Sequence, residues 1–269
     1  TTGQLRQAVI HTRQKLATSE RRTCRVIGLS LSSLQYQPAR KDDAALRLDL
    51  IRLAKQYGRY GYRKIAALLR IEGWTVNHKK VARTWREEGL QLPQRHKRRR
   101  QLYHKDSLII RLRTTHPNHV WSIDFVHDKL CNGRSYKMLT VLDEYTRQAL
   151  AVAVRTRMGA EDVLEALYPL LLRHGAPEYI RSDNGPEFVA EAMQDWLVRV
   201  GIKPIRIYPR LPWENGYNER FNGTLRHEVL NAEWFTTAKQ AQIVIDQRLR
   251  QHNHIRPHQA LNMRPPVPE

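Results

Sequence analysis

The sequence predicts an α/β protein with a sheet of mixed strand directions, preceded by small all-α domains. Helical periodicity with start and stop signals fills the first 90 residues. Strand-like alternation begins at residue 119, and helix and strand patterns alternate from residue 160 onward. Antiparallel strands followed by alternating helices and strands build a mixed sheet flanked by helices.

Composition points to a polyanionic partner. The 269 residues include 46 Lys+Arg against 26 Asp+Glu, for a formal net charge of +20. An excess of this size favours nucleic acid, because each neutralised phosphate releases counterions. Two cysteines are too few for a disulfide framework, and the sequence has neither a long apolar span nor an apolar signal core, so we expect a cytoplasmic protein.

The N-terminal part is predicted to contain two helical domains. Residues 1–40 read as short helices over 18–30 and 30–37, a helix-turn-helix-like segment with Thr18 or Ser19 as a possible N-cap. Residues 41–92 form a second such domain, with helices over 45–58, 62–74 and 77–90.

The second helical domain carries a basic face. Its last two helices are separated by a turn at Gly73, which is the helix-turn-helix pattern. The predicted DNA contacts on the final helix are Lys79, Lys80, Arg83 and Arg86. The alternative is an ordinary helical hairpin with a solvated basic surface.

Residues 93–117 are predicted to be a basic linker. A run of this kind is usually solvated unless a polyanion orders it. We interpret it as a tether that follows a DNA backbone through Arg98, Arg99 and Arg100.

The α/β part is predicted over residues 118–231, with a helical extension and tail over 232–269. Asn132-Gly133 between two apolar runs indicates a hairpin. The predicted strands are 119–130, 136–146, 148–156, 178–183 and 203–209. The predicted helices are 160–175, 187–201 and 215–231.

Three carboxylates stand in conspicuous settings. Asp124 lies within an apolar strand, on the face opposite Trp121 and Ile123, where a carboxylate is costly unless it is paired or metal-bound. Asp183 follows a strand end, and Glu219 lies early in a helix, with 35 residues between them. Each acid alone is more often a capping or solvated residue. Together they can form a site for two divalent metal ions.

The surrounding motifs identify a family resemblance. WSIDFV, TVLDEYTRQALA, RSDNGPEF, PWENGYNERFNGTLR and NHIRPHQAL occur in order over residues 118–262. This stretch resembles the integrase core of DDE transposases, which are related to retroviral integrases. Residues 18–90 also resemble the upstream half of the OrfB-like transposases of bacterial insertion sequences. The resemblance implies an RNase H-like fold with a five-stranded mixed sheet.

The resemblance also implies roles for individual residues. Asp124, Asp183 and Glu219 match the catalytic, metal-binding triad. Arg226 matches the basic residue seven positions after the glutamate, about two helical turns further on, so it shares the face of Glu219 and is expected to hold a DNA phosphate. Asn222 lies on the same side and is expected to contact DNA. The alternative for Arg226 is a surface cation.

The implied activity is metal-dependent DNA strand cleavage and strand transfer at element ends. Oxygen ligands suit two Mg²⁺ ions per site, with Mn²⁺ as a substitute. Expected partners are double-stranded DNA, both element terminal repeats and target DNA, a homo-oligomer of two or more copies, and a fused upstream OrfA-type product. We expect the protein to associate with the bacterial nucleoid. The alternatives are a non-catalytic DNA-binding regulator and a nuclease that cleaves without joining.

Overall fold

A computed structural model describes residues 1–36, 43–93, 112–207 and 215–267. The chain divides into two compact units, Thr1–Leu48 and Asp49–Glu269. Within the described residues, every helix is too short or too polar to cross a membrane.

The first unit contains three helices, α1 (Thr2–Leu16), α2 (Glu20–Ile27) and α3 (Leu31–Gln35). They pack around Val9, Cys24 and Leu29. The Ser19 hydroxyl accepts a hydrogen bond from the Arg22 amide, so Ser19 caps α2. The prediction of only short helices here was wrong, because α1 has 15 residues. Val9 is the one buried residue of α1, so the sequence carries almost no helical periodicity there.

Helices α4 (Ala44–Gln56), α5 (Tyr62–Ile71) and α6 (His78–Glu87) follow. The turn between α5 and α6 contains Gly73 at φ +93°, a left-handed conformation that only glycine adopts at little cost. Asn77 caps α6 by accepting the Lys79 amide at 3.0 Å. The pair α5–α6 is called the helix-turn-helix segment below.

The second unit is built on a five-stranded sheet in the order β3-β2-β1-β4-β5. The first three strands are antiparallel, and β4 and β5 run parallel to β1. The Asn132-Gly133 hairpin is confirmed, with Gly133 at φ +79°. This confirms the predicted RNase H-like, mixed α/β fold preceded by helical parts. The strands are β1 (Val120–Lys129), β2 (Ser135–Asp143), β3 (Ala149–Arg155), β4 (Tyr179–Ser182) and β5 (Lys203–Arg206).

Helices cover both faces of the sheet. On one face α7 (Ala160–His174), α8 (Pro186–Val189) and α9 (Glu191–Arg199) enclose a core with Trp121 and Ile123. On the other, α10 (Gly216–Leu225), a π-helical turn (Arg226–Leu230) and α11 (Ala238–His254) pack on Val126 and Met138. Successive residues of β1 therefore face different cores, as the period of two requires.

Two predicted helices are interrupted. The helix expected over 187–201 breaks at Ala190. In one continuous helix Phe188 and Met193 would point roughly 140° apart; the break lets both enter the same core. The helix expected over 215–231 becomes π-helical at Arg226. Such turns are frequent at functional sites.

Candidate active site

Asp124 lies in the middle of β1, on the face covered by α10. Its Oδ1 accepts the Phe125 amide at 2.8 Å, and its Oδ2 accepts the side-chain amide of Asn222 at 2.8 Å. Both carboxylate oxygens are therefore oriented, one by its own strand and one by the helix that carries Glu219.

Asp183 is exposed and follows the end of β4, directly beside β1. Its Oδ1 accepts the Gly185 amide at 3.0 Å. A Cβ atom at position 185 would lie 3.1 Å from that oxygen, so the glycine leaves the space that Asp183 occupies. Asn184 donates to the Ile207 oxygen at 2.9 Å, which attaches this loop to the end of β5.

Glu219 is exposed in the first turn of α10. The preceding residue, Asn218, is fully buried and accepts the Thr140 hydroxyl at 3.0 Å. Thr140 lies in β2 opposite Asp124, and its hydroxyl also lies 3.1 Å from the Asp124 main-chain oxygen. Sequence reasoning did not identify Asn218 or Thr140, because their pairing is a tertiary contact between residues 78 positions apart.

Asp124 experiences the charges of both other acids. Burial, together with the charges of Asp183 and Glu219, raises the pKa of Asp124 to about 6, although the hydrogen bonds from Phe125 and Asn222 act in the opposite direction. A partly buried carboxylate with two exposed carboxylates within electrostatic reach fits a divalent cation, because such an ion offsets both the repulsion and the desolvation of Asp124. The donors are all carboxylate oxygens, as Mg²⁺ and Mn²⁺ prefer.

Arg226 lies two helical turns after Glu219. It is exposed and faces β1, the strand that carries Asp124. Its Nη2 donates to the His127 main-chain oxygen at 2.9 Å. Asn222, between them, uses its amide nitrogen on Asp124. Asn222 therefore borders the Asp124 carboxylate, and Arg226 contacts the same strand three residues further on. Contact of either residue with DNA stays a prediction.

Other acids near the site have structural partners. Glu187 lies in the first turn of α8 and accepts Lys137 at 2.5 Å. Burial alone would raise the pKa of Glu187, but the hydrogen bond and charge of Lys137 outweigh it and lower the pKa. Asp143 accepts the amides of Asn118 and Tyr145, as expected of a residue at a sheet end.

A second group of possible metal ligands lies at the opposite end of β1 and β4. Among the described residues, His116, His119 and Glu178 are the one group of three such ligands within 4.8 Å of one another. The two imidazole rings are stacked, with centroids 4.7 Å apart and planes 18° apart. A metal ion must lie near the plane of each ring it binds, which two stacked rings do not allow at one point. Nε2 of His116 instead lies 3.0 Å from Oε1 of Glu178.

The predicted basic contacts divide into two groups. Lys79, Arg83 and Arg86 are exposed on α6, and Lys80 is half-buried. The opposite face of α6 is buried through Val81, Thr84 and Trp85. Arg98, Arg99 and Arg100 lie outside the described residues.

Family models match three parts of the chain. Residues 40–98 match an HTH-like domain, and residues 114–212 and 200–266 each match an integrase core domain. The two integrase matches together contain Asp124, Asp183 and Glu219.

Whole-chain similarity extends to proteins of bacterial insertion elements. An uncharacterized 31.7 kDa protein of insertion element IS407 from Burkholderia multivorans is 40% identical over 93% of this chain and 90% of the relative. An uncharacterized 39.2 kDa protein of IS476 from Xanthomonas euvesicatoria is 39% identical over 97% of this chain and 75% of the relative. A solved HTLV-2 integrase catalytic core in complex with magnesium aligns with a TM-score of 0.45 and 22% identity, over 56% of this chain and 96% of that chain.

The chain is therefore an enzyme of the polynucleotidyl transferase type with an integrase core. It belongs to the DDE transposases of insertion sequences.

Proposed function

We propose that this transposase cleaves DNA at the ends of its insertion element and joins the freed ends to target DNA by two-metal phosphoryl transfer. The observation that carries the proposal is that the charges of Asp183 and Glu219 both act on Asp124, so two carboxylates lie within electrostatic reach of a third in a chain of net charge +20. Such a grouping is unfavourable unless it serves to bind cations.

Asp124, Asp183 and Glu219 would hold the ions. Two Mg²⁺ or Mn²⁺ ions in such a site activate an attacking oxygen and stabilise the leaving oxygen. The protein itself orients the ligands: Asn222 and the Phe125 amide fix the carboxylate of Asp124, and the Gly185 amide fixes that of Asp183.

The reaction needs no side-chain nucleophile. In the first step a water oxygen forms a bond to phosphorus, and the bond from phosphorus to the 3′ oxygen breaks, which leaves a 3′-hydroxyl on the element. In the second step that hydroxyl attacks a target phosphodiester, so one phosphodiester bond forms as another breaks. Arg226 would hold a nearby phosphate throughout.

DNA recognition is assigned to the basic residues outside the carboxylate site. Lys79, Lys80, Arg83 and Arg86 on α6 would contact the terminal repeats in the major groove. Arg98, Arg99 and Arg100 would follow the backbone between the helical and catalytic parts. Because two element ends must meet, we expect a dimer or larger homo-oligomer on DNA, with an OrfA-type product as a fusion partner.

Two alternatives predict different products from one experiment. The protein is incubated with labelled duplexes of candidate terminal repeats and a supercoiled target, in Mg²⁺ or in EDTA. Transposition gives nicked ends and joined strands in Mg²⁺ alone. A nuclease gives nicked ends without joined strands, and a DNA-binding regulator gives neither, so either result would overturn the proposal.

A further inference from the structure

The name catalytic helix is used below for α10 together with the π-helical turn that continues it, residues 216–230. One carboxylate on its far side is shared by two cations. Glu228 accepts Arg256 at 2.8 and 3.1 Å and Lys64 at 3.1 Å. The side chains of Lys64, Glu228 and Arg256 are only 25%, 19% and 12% exposed. Burial alone would raise the pKa of Glu228, but Arg256 and Lys64 lower it, so the carboxylate is ionised.

The three residues come from distant parts of the second unit. Lys64 lies in α5 of the helix-turn-helix segment, Glu228 in the π-helical turn after α10, and Arg256 just after α11. Buried Tyr60 lies beneath them, with the Lys64 ammonium 4.3 Å from its ring centroid. The Glu228 cluster, defined as Lys64, Glu228, Arg256 and Tyr60, therefore joins the helix-turn-helix segment to the catalytic helix.

The packing around the Glu228 cluster is incomplete. A cavity of about 330 Å³ lies beside it, between Tyr57 on one side and Phe221 and Leu225 of α10 on the other. The ion pairs of the cluster therefore lie at the edge of a part of the boundary that side chains do not fill.

The catalytic helix thus makes side-chain contacts on two sides. Arg226 points to β1, where it contacts the His127 oxygen, while Glu228 points to α5. Residues two apart lie on roughly opposite sides of a helix. At its beginning, α10 has no side-chain hydrogen bond from its N-cap, Asn215. Its order therefore depends on tertiary contacts such as those of Asn218 and Glu228.

We propose that Glu228 is a positioning residue that couples the helix-turn-helix segment to the catalytic helix through Lys64. DNA held by α6 restrains α5, and Lys64 passes that restraint through Glu228 to the helix that carries Glu219 and Asn222. The inference rests on the proposed function, because it assumes that α6 binds DNA.

The variants separate coupling from folding. Lys64→Met removes one cation and leaves the pair of Glu228 and Arg256, so the core keeps its ion pair. Glu228→Gln leaves two cations facing each other in a half-buried place and is expected to be the more disruptive change. Lys64→Arg keeps the charge and is the conservative rescue. Arg52→Met is the matched control, because Arg52 pairs with Glu72 at 2.6 Å and takes no part in the cluster.

The direct test is amide hydrogen exchange in Gly216–Leu225, with and without duplex DNA of an element end. We expect DNA to slow exchange at least about fivefold in the wild type, Arg52→Met and Lys64→Arg, at the low end of ordinary coupling between sites. Lys64→Met should lose this slowing while it binds DNA with unchanged affinity. Equal slowing in Lys64→Met, or none in the wild type, would overturn the inference.

A kinetic measurement completes the test. Lys64→Met should lower kcat for end cleavage about tenfold, equivalent to about 1.4 kcal/mol, with KM unchanged. The exchange experiment needs no catalysis and is done in Asp183→Asn, so exchange that responds to DNA through Lys64 would stand even if the protein proved inactive. A KM effect with unchanged kcat would instead make Lys64 a DNA contact and contradict the coupling.

Discussion

The side chain of Asn222 donates a 2.8 Å hydrogen bond to Oδ2 of Asp124, so the catalytic helix holds the carboxylate of the first strand. Removal of this contact should free the carboxylate to rotate. We predict that Asn222→Ala lowers DNA cleavage about 10- to 100-fold, as is usual when a metal ligand loses its supporting partner. The exposed Asn231→Ala is the control, and single-turnover rates give the comparison. A wild-type rate in Asn222→Ala would show that the hydrogen bond has no catalytic role.

Gly185 should be sensitive for steric reasons alone. Its φ of −59° suits any residue, but a Cβ atom would lie 3.1 Å from Oδ1 of Asp183 and 3.4 Å from Oε2 of Glu187. We predict that Gly185→Ala displaces the Asp183 carboxylate and reduces cleavage, while the free energy of unfolding changes by no more than about 0.5 kcal/mol, as at ordinary surface positions. Gly58→Ala, with no close neighbour for its Cβ, serves as the control. Full activity in Gly185→Ala would argue against the observed position of Asp183.

Arg226 offers a test based on salt dependence. If it neutralises one DNA phosphate, Arg226→Ala should reduce the slope of log affinity against log salt by about 1. Arg220→Ala removes an exposed arginine from a different side of the same helix and should leave that slope nearer the wild-type value. Equal slopes in the wild type and Arg226→Ala would show that Arg226 neutralises no phosphate and only donates its hydrogen bond to the His127 main-chain oxygen.

The buried pair of Arg181 and Glu144 supports the strand that ends at Asp183. Their side-chain atoms lie 3.0 Å apart, and the side chains are 2% and 0% exposed. Loss of Arg181 would leave the buried carboxylate of Glu144 without its cation, so Arg181→Met should lower the free energy of unfolding by about 3–5 kcal/mol. The double change Arg181→Met with Glu144→Leu should recover much of that loss in urea unfolding. No recovery would mean that Arg181 stabilises the fold through other contacts, such as its bond to the Leu112 oxygen.

Two buried histidines predict an acid-sensitive fold. Burial, together with the positive charge of Arg256, lowers the pKa of His252 to about 3 and that of His258 to about 4. Below about pH 6.5 these histidines are protonated in the unfolded chain but stay neutral in the folded protein. The free energy of unfolding therefore falls as the pH falls, by at most about 1.4 kcal/mol per pH unit for each histidine.

Urea unfolding at pH 7.5 and pH 5 measures this loss. His252→Phe should flatten the pH dependence, while exposed His254→Gln should not. The same pH dependence in both variants would remove His252 as its source and leave His258 to explain it.

Local patterns in the sequence predicted most of the fold. Alternation, apolar runs and turn signals located all five strands, and β1 differs from its predicted range by one residue at each end. The breaks at Ala190 and Arg226 were not predictable, because both are determined by packing against core residues that are distant in the sequence. Helix α1 was missed because its surface is mostly exposed and carries little periodicity.

The candidate site was only partly readable from the sequence. Spacing and local setting single out Asp124, Asp183 and Glu219, and seven-residue spacing aligns Arg226 with Glu219. The supports for these residues are tertiary contacts. Thr140 and Asn218 are 78 residues apart in sequence, and Lys64 and Glu228 are 164 apart. No local pattern reports such pairs.

The central claim is that three acids form one metal-dependent site for cleavage and joining. The most direct test measures single-turnover cleavage and joining of element ends in Mg²⁺ by Asp124→Asn, Asp183→Asn and Glu219→Gln, with exposed Asp195→Asn as the matched control. Metal binding supplies several kcal/mol of transition-state stabilisation, so each triad variant should lose about a thousandfold or more while it still binds DNA. Joining at a near wild-type rate by any one of the three variants would contradict the account.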